Sequence, residues 1–376
     1  MRWEQQQLRR MARIRNGADH SAVVDPNGEI PVYGSGGEFT RATRALYKGP
    51  AVLLGRKGTI NRPILVDGEF WTVDTMFCAL PLAGTDPRFL YYACTTIPFE
   101  KLSTNTALPS MTQGDLNATR IPQPPAEDQQ LIADFLDRET AKIDELIGKQ
   151  EQLIATLRED RIATITHAVT KGLDPNAEMK DSGVEWLGEI PAHWNATKLG
   201  WHTSCRSGEA AVGNVEEYQD DAHCNPVIGG NGVLGYSIDS NVTGGVLAIG
   251  RVGALCGNVH LVTSPAWVTD NALLLALIDS AYGNRYLLLL LTARRLNDLA
   301  SKTAQPLITG TQVSRQRLPL PPMSEQHSIV EYLDAHCAQI DALIVKSEQM
   351  IGVLREYRSA LITDAVTGKI DVRGAA

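Results

Sequence analysis

Apolar residues recur in alternating steps of three and four at two places in the chain. Within residues 121–174 they fall at Leu136, Ile143, Leu146, Leu153 and Leu157, and within 318–371 at Leu333, Ile340, Leu343, Met350, Leu354, Tyr357 and Leu361. That spacing is the seam of a coiled coil, so each stretch is expected to form a long helix paired along it. Each begins behind a proline cluster, Pro122/Pro124/Pro125 or Pro319/Pro321/Pro322, which forces extended backbone and then gives way to helix. Gly172 and Gly368 supply stop signals near the far ends. A helix of about 40 residues is roughly 60 Å long at 1.5 Å per residue, long enough to act as a spacer. Gln150 and Ser347 take matching seam positions, where a polar side chain fixes register at some cost in stability.

The two stretches are copies of one another. Residues 121–174 align without a gap on 318–371 with about half the positions identical, which marks an internal duplication. LREDRIATITHAVTKGLD (157–174) and LREYRSALITDAVTGKID (354–371) are the plainest part of it. A weaker duplication lies outside the helices. IPVYGSGGEF (30–39) matches NPVIGGNGVLGY (225–236), AVLLGRKGTI (51–60) matches VLAIGRVGAL (246–255), and WTVDT (71–75) matches WVTDN (267–271). Trp3, Leu8 and Gly17 recur as Trp194, Leu199 and Gly208.

Residues 1–107 and 185–304 are rich in Gly, Val, Thr and turn signals with short apolar runs, and read as mixed, mostly β regions. The chain therefore divides into a variable region (1–107), a proline opening and helix (108–174), a second variable region (175–304, with 175–184 as linker), and a second proline opening and helix (305–376). The longest apolar run, NALLLALIDSAYGNRYLLLLL, is broken by Asp279, Asn284 and Arg285 and reads as a buried strand followed by a helix rather than a membrane span.

Composition adds little, but charge distribution narrows the options. The formal net charge is -8, yet residues 1–107 hold 13 Lys/Arg against 10 Asp/Glu, while 181–304 hold 7 against 12. Any contact with a polyanion must be local. The six cysteines form no CxxC pair and are too few for a disulfide scaffold, which fits a reducing compartment. His223 and Cys224 with Cys205 could be imagined as a metal cluster, but buried or loop thiols account for them better, and no metal is expected.

This arrangement resembles the DNA-specificity subunits of type I restriction–modification enzymes. The resemblance rests on the duplicated P-x-P-P-x-x-[DE]-Q opening at Pro122–Gln129 and Pro319–Gln326, the helix endings in LRE-x-R and AVT, DSGVEWLGEIPAHW (181–194), and the paired GR-x-G and W-x-x-D elements. It covers nearly the whole chain. It implies an α+β fold in which two mixed, mostly β target-recognition domains are separated by two long helices forming an antiparallel coiled coil, with pseudo-two-fold internal symmetry. It further implies a cytoplasmic, non-catalytic protein without a cofactor. Its partners would be double-stranded DNA, two modification (methyltransferase) subunits and restriction subunits. Two different domains related by an approximate two-fold axis can address two half-sites on one duplex, and those half-sites should differ in sequence. One departure is visible: no counterpart of DSGVEWLGEIP precedes Trp3, so the first domain is expected to lack an edge element or to start upstream.

Candidate DNA contacts follow from side-chain chemistry. In GRKGTINRP (55–63), glycines permit a tight turn that presents Arg56, Lys57, Thr59, Asn61 and Arg62. Lys and Arg neutralise phosphates, and Arg to guanine and Asn to adenine are the geometric base pairings. A solvated basic turn is the alternative. GRVGALCGN (250–258) keeps Arg251 and Asn258, which makes Arg56/Arg251 the better pair. The glycine turns add Ser35 and Asn231, and Arg41 and Arg44 lie nearby in sequence. The polar loops before each proline cluster add Thr104, Asn105, Lys302 and Thr303. Trp71/Asp74 and Trp267/Asp270 read as structural, a core ring with a turn-fixing carboxylate. The helix endings Arg158, Glu159, Arg161, Arg355, Glu356 and Arg358 are where methyltransferase partners would grip.

Two other functions are open to the residues. Gly230, Gly232 and Gly235 form G-x-G-x-x-G, a weak nucleotide signal with no βαβ unit evident after it. A coiled-coil scaffold indifferent to DNA would keep the helices but needs no Arg-bearing loops.

Overall fold

The computed structural model describes residues 3–102, 110–210, 213–301 and 305–373. They fall into two compact units, Met1–Glu151 with Ser347–Ala376, and Gln152–Lys346. Two long helices, Ala126–Lys171 and Met323–Val366, each contribute one half to each unit.

The strands of the first unit run β1 (Gln5–Gln7), β2 (Ala12–Asn16), β3 (Ile30–Gly34), β4 (Gly37–Ala42), β5 (Tyr47–Lys48), β6 (Ala51–Gly55), β7 (Ile64–Val66), β8 (Glu69–Thr72), β9 (Met76–Pro81) and β10 (Arg120–Pro122). They form sheets of order β2-β9-β6-β7 and β4-β3-β8-β5, with β1 paired to β10. Strand β6 (AVLLG) is buried at all five positions, which is why it reads as a continuous apolar run. Strand β2 alternates instead, burying Ala12 and Ile14 and exposing Arg13 and Arg15. The helix Pro87–Thr95 starts on an Asp86 cap that accepts from the Arg88 and Phe89 amides, and it buries Phe89, Leu90, Tyr92, Ala93 and Cys94.

The second unit repeats this plan with β11 (Met179–Asp181), β12 (Glu189–Pro191), β13 (Asn195–Lys198), β14 (Thr203–Ser207), β15 (Asn225–Gly229), β16 (Gly232–Ser237), β17 (Val246–Gly250), β18 (Val259–Val262), β19 (Trp267–Val268), β20 (Ala272–Leu277) and β21 (Arg317–Leu320). Sheet β14-β20-β17-β18 corresponds to β2-β9-β6-β7, β16-β15-β19 to β4-β3-β8, and β13-β21 to β1-β10. Even the irregularities repeat: β3 shifts register between Val32 and Tyr33, and β15 between Val227 and Ile228. The apolar run resolves as strand β20 followed by the helix Asn284–Arg294. One element is unmatched. The hairpin β11–β12 has no counterpart among the described residues of the first unit, as expected from the missing DSGVEWLGEIP.

The P-x-P-P-x-x-[DE]-Q motif has a structural purpose. Gln129 is 2% exposed; its amide donates to the Pro124 and Gly84 carbonyls and its oxygen accepts from the Asp86 amide. Gln326 is fully buried and makes the same three bonds, to Pro321, Ala281 and Gly283. Each glutamine thus satisfies backbone groups that the proline turn leaves without partners inside the protein.

In the first unit, Ile132, Ala133 and Leu136 from the start of the first helix share a core with Ile362, Ala365 and Val366 from the end of the second. In the second unit, Ile165, Ala168 and Val169 share a core with Ile329 and Leu333. Within each unit the two halves therefore lie antiparallel. The seam differs from the expected one, because Leu146, Leu153, Leu343, Met350 and Tyr357 are 46%, 43%, 49%, 50% and 57% exposed. Each of the first four is followed by an isoleucine, and Ile154 and Ile351 are each only 7% exposed. The seam passes Leu136, Thr140, Ile143, Ile147, Gln150, Ile154 and Leu157, with the same positions repeated on the second helix. Both routes are spaced by threes and fours, so spacing alone cannot choose between adjacent apolar residues. Ser347 is buried in the seam as expected.

Trp71 is buried and donates its indole N–H to the Ala18 carbonyl at 2.9 Å; Trp267 does the same to Ala210 at 3.2 Å. Asp74 and Asp270 are exposed, and among the described residues neither carboxylate accepts a turn hydrogen bond, so that part of the expectation is not met.

Candidate nucleic-acid interface

Three segments meet at one edge of each unit. In the first unit they are the turn between β3 and β4, the loop after β6, and Ser110–Met111. The loop is anchored by its backbone: Arg56 and Lys57 donate to the Thr75 carbonyl at 2.8 and 3.2 Å, and the Met111 amide donates to the Arg56 carbonyl at 3.0 Å. Lys57 also bridges to Ser110. Gly58 has φ +80° and faces the Ser35 hydroxyl, which lies 3.3 Å from where a Cβ would stand. Only glycine takes that conformation without strain. Ser35, Arg56, Lys57 and Thr59 are thereby brought together.

The second unit repeats the anchoring with different side chains. Arg251 donates its amide to the Asn271 carbonyl at 2.9 Å, and Ile308 returns a bond to the Arg251 carbonyl at 2.9 Å. The Asn258 amide reaches the Asn231 oxygen at 3.1 Å, tying the loop after β17 to the β15–β16 turn. Arg251 donates to the Ser207 hydroxyl at 3.1 Å, whereas Arg56 lies over the Phe77 ring at 5.7 Å and reaches the Asp74 carbonyl at 3.4 Å. Both arginines are held by their own unit and remain partly exposed.

Lys57, Thr59, Asn61 and Arg62 are exposed along the first loop. Arg41 and Arg44 are not at this edge. Strand β4 leads away from the turn, so at roughly 3.3 Å per residue Arg44 stands about 20 Å along the hairpin. Arg41 is engaged by Glu38 at 3.1 Å and by the Glu29 carbonyl. Thr104, Asn105, Lys302 and Thr303 lie outside the described residues. The arginines named on the helices are in part committed to the helix pair: Arg358 bonds Asp144, Arg355 bonds Glu151, and Arg161 pairs with Asp341. Glu159 and Glu356 are exposed.

Sequence reasoning passes over Arg15 and Arg206. Both are exposed on the edge strands β2 and β14, and Arg206 is followed by the Ser207 that holds Arg251. The alignment that matches Gly17 with Gly208 also matches these arginines, so the signal was present. Phe39 and Leu234, exposed at one repeat position, were also missed; each packs its side chain over the glycine opposite, Gly34 or Gly229.

Gly230, Gly232 and Gly235 lie on a β-hairpin, with β15 passing directly into antiparallel β16. No strand-to-helix turn follows, so the geometry that would cradle a pyrophosphate is missing there. Burial pushes the Cys205 thiol up to about 11, and His223 bonds Asp220 at 3.0 Å. The helices of the described residues include none long and apolar enough to cross a membrane.

The family model for the type I restriction modification DNA specificity domain matches residues 2–155 and 209–350. The chain is 33% identical over 142 residues to the type I restriction enzyme EcoprrI specificity subunit of Escherichia coli, a match covering 36% of this chain and about a third (34%) of that one. It is 23% identical over 316 residues to the putative type I restriction enzyme MjaX specificity subunit of Methanocaldococcus jannaschii, covering 77% and 69%. A chain from a structure of the type I R-M system, solved to explain complex assembly and conformational transition, shares the fold with a TM-score of 0.75 at 17% identity, covering 98% of both. The duplicated units and the family match agree, and the chain belongs to the type I restriction–modification DNA-specificity family.

Proposed function

We propose that this chain is the sequence-reading subunit of a cytoplasmic type I restriction–modification complex and carries no chemistry of its own. Each unit reads one half of a bipartite, asymmetric site on double-stranded DNA. The observation that carries this reading is the recurrence, once per unit, of the same backbone-anchored edge with an arginine at the same repeat position. The scaffold is constant, while the side chains on it change from Lys57, Thr59, Asn61 and Arg62 to Asn231 and Asn258. Constant scaffolds with variable loops are how one fold reads different sequences.

Two modification subunits, and restriction subunits in the full complex, are the protein partners. The exposed apolar residues of the helix pair, Leu146, Met350 and Tyr357 in the first unit and Leu153 and Leu343 in the second, give those subunits one apolar patch per unit. Arg158, Glu159 and Glu356 supply a polar rim. Fluorescence anisotropy of the complex with its methyltransferase tests the reading: selective, salt-dependent duplex binding supports it. Equal binding to every duplex would sink it, and heat from titrating S-adenosylmethionine into this chain alone would contradict a non-catalytic role.

A further inference from the structure

The two units differ at one place where the duplication predicts sameness. In the first unit the segment after the second long helix folds back on the start of the first. Val372 is buried against the core that contains Ile132, and Arg373 grips the Asp128 carboxylate with two nitrogens at 3.0 and 2.9 Å. Its guanidinium lies 6.0 Å from the Trp3 ring centre. What remains of the niche is about 20 Å³. In the second unit the equivalent residues are Ile329, Glu325 and Trp194, and the chain starts back the same way. Asp174 accepts from the Asn176 amide at 2.9 Å, as Asp371 accepts from the Arg373 amide at 3.1 Å. There the likeness stops. Pro175 and Asn176 stand where Val372 and Arg373 would, both are exposed, and a cavity of about 270 Å³ is left, lined by Ile329, Glu325, His193, Asp174, Lys171 and Pro191.

We propose that this cavity binds a peptide segment of a partner protein in which an aliphatic residue is followed by an arginine. The first unit shows the occupant's chemistry directly, because its own Val372–Arg373 fills the same niche on the same kind of carboxylate. The volume lies below the roughly 300–1,000 Å³ of small-molecule pockets and suits a few side chains. Charge agrees: Glu325 and Asp174 face the cavity, and the Lys171 ammonium is engaged by the Leu187 and Glu189 carbonyls. His193 holds Glu325 at 2.7 Å in the arginine's place, but its side chain is half exposed and free to swing out. The Trp194 indole, at 2.9 Å from the other carboxylate oxygen, fixes Glu325 from below.

The test is calorimetric titration of the full chain with the capped peptide Lys-Ile-Asp-Val-Arg, the sequence of residues 369–373. One-site binding is expected, lost when alanine replaces the peptide's arginine. Glu325→Gln keeps an acceptor for Trp194 and should weaken binding roughly tenfold or more, the worth of a charged hydrogen bond. His193→Ala removes the internal competitor and should tighten it. Binding that survives Glu325→Gln but is lost in Asp128→Asn would overturn the proposal, since the peptide would then be exchanging with the chain's own tail. A concentration-dependent dimer abolished by Arg373→Ala would overturn the partner assignment in favour of a second copy's tail.

Discussion

Arg358 holds the carboxylate of Asp144 with two nitrogens, Nε at 2.9 Å and Nη2 at 3.2 Å, across the antiparallel helix halves of the first unit. The repeat places Arg161 and Asp341 in the same relation in the second unit, 3.1 Å apart. Both arginines sit at seam positions, where an apolar side chain would ordinarily be found. The pair therefore specifies the antiparallel partner as well as contributing attraction. Arg358→Ala should cost about 1 kcal/mol by urea denaturation, near the upper end for partly exposed pairs. The exchanged pair Asp144→Arg with Arg358→Asp should recover part of it. An exchange no better than the worse single variant would show that the arginine matters only through the packing of its stem.

The seam itself gives a sharper contrast. Ile154 is buried and Leu153 beside it is 43% exposed. Ile154→Ala should lose about 2–3 kcal/mol of stability, as for a truncated buried aliphatic residue. Leu153→Ala should lose less than about 0.5 kcal/mol from the chain alone yet weaken co-purification with the methyltransferase. Equal destabilisation by the two changes would mean that the seam runs as the spacing first suggested.

That contrast shows where the sequence stops being legible. Spacing announced the helices and their pairing, because a periodicity of three and four sustained over dozens of residues has few explanations. It could not choose between Leu146 and Ile147, or Leu343 and Ile344, since each choice preserves the period. The loop pair Arg56/Arg251 was legible because duplication left the same residue in both copies. Arg41 and Arg44 read as neighbours of Ser35 only because the sequence gives no direction to a hairpin; strand β4 carries them away from the turn. The Asn258–Asn231 bond could not be read at all, since it joins loops 27 residues apart whose meeting depends on the sheet.

Lys57 is exposed, anchored through its backbone alone, and carries a charge next to a loop that offers hydrogen-bond donors. If the edge meets DNA, Lys57 contacts phosphate and not a base. Lys57→Ala should weaken binding to all duplexes alike and lower the salt-dependence slope by about one. Arg56→Ala should instead relax selectivity at one half-site and leave the other unchanged. Loss of methyltransferase assembly in Arg56→Ala would assign that arginine to the fold.

His260 lies on β18 beside the β15–β16 turn, with its Nε2 buried and, among the described residues, without a hydrogen-bond partner. Burial disfavours its charged form and lowers its pKa below 6.5. The folded unit therefore binds this proton less readily than the unfolded chain. Its stabilising contribution is fully present above about pH 6.5, the unfolded value, and is lost as pH falls below it. The corresponding strand of the first unit, Ile64–Val66, has no titratable group. Thermal unfolding should accordingly move to lower temperature between pH 7.5 and pH 5.5, and His260→Gln, which cannot take up a proton, should shrink that shift. Recognition of the half-site assigned to the second unit should show the same pH sensitivity, because the ring sits against Gly232 at the hairpin turn. An unchanged pH shift in His260→Gln would place the sensitivity elsewhere.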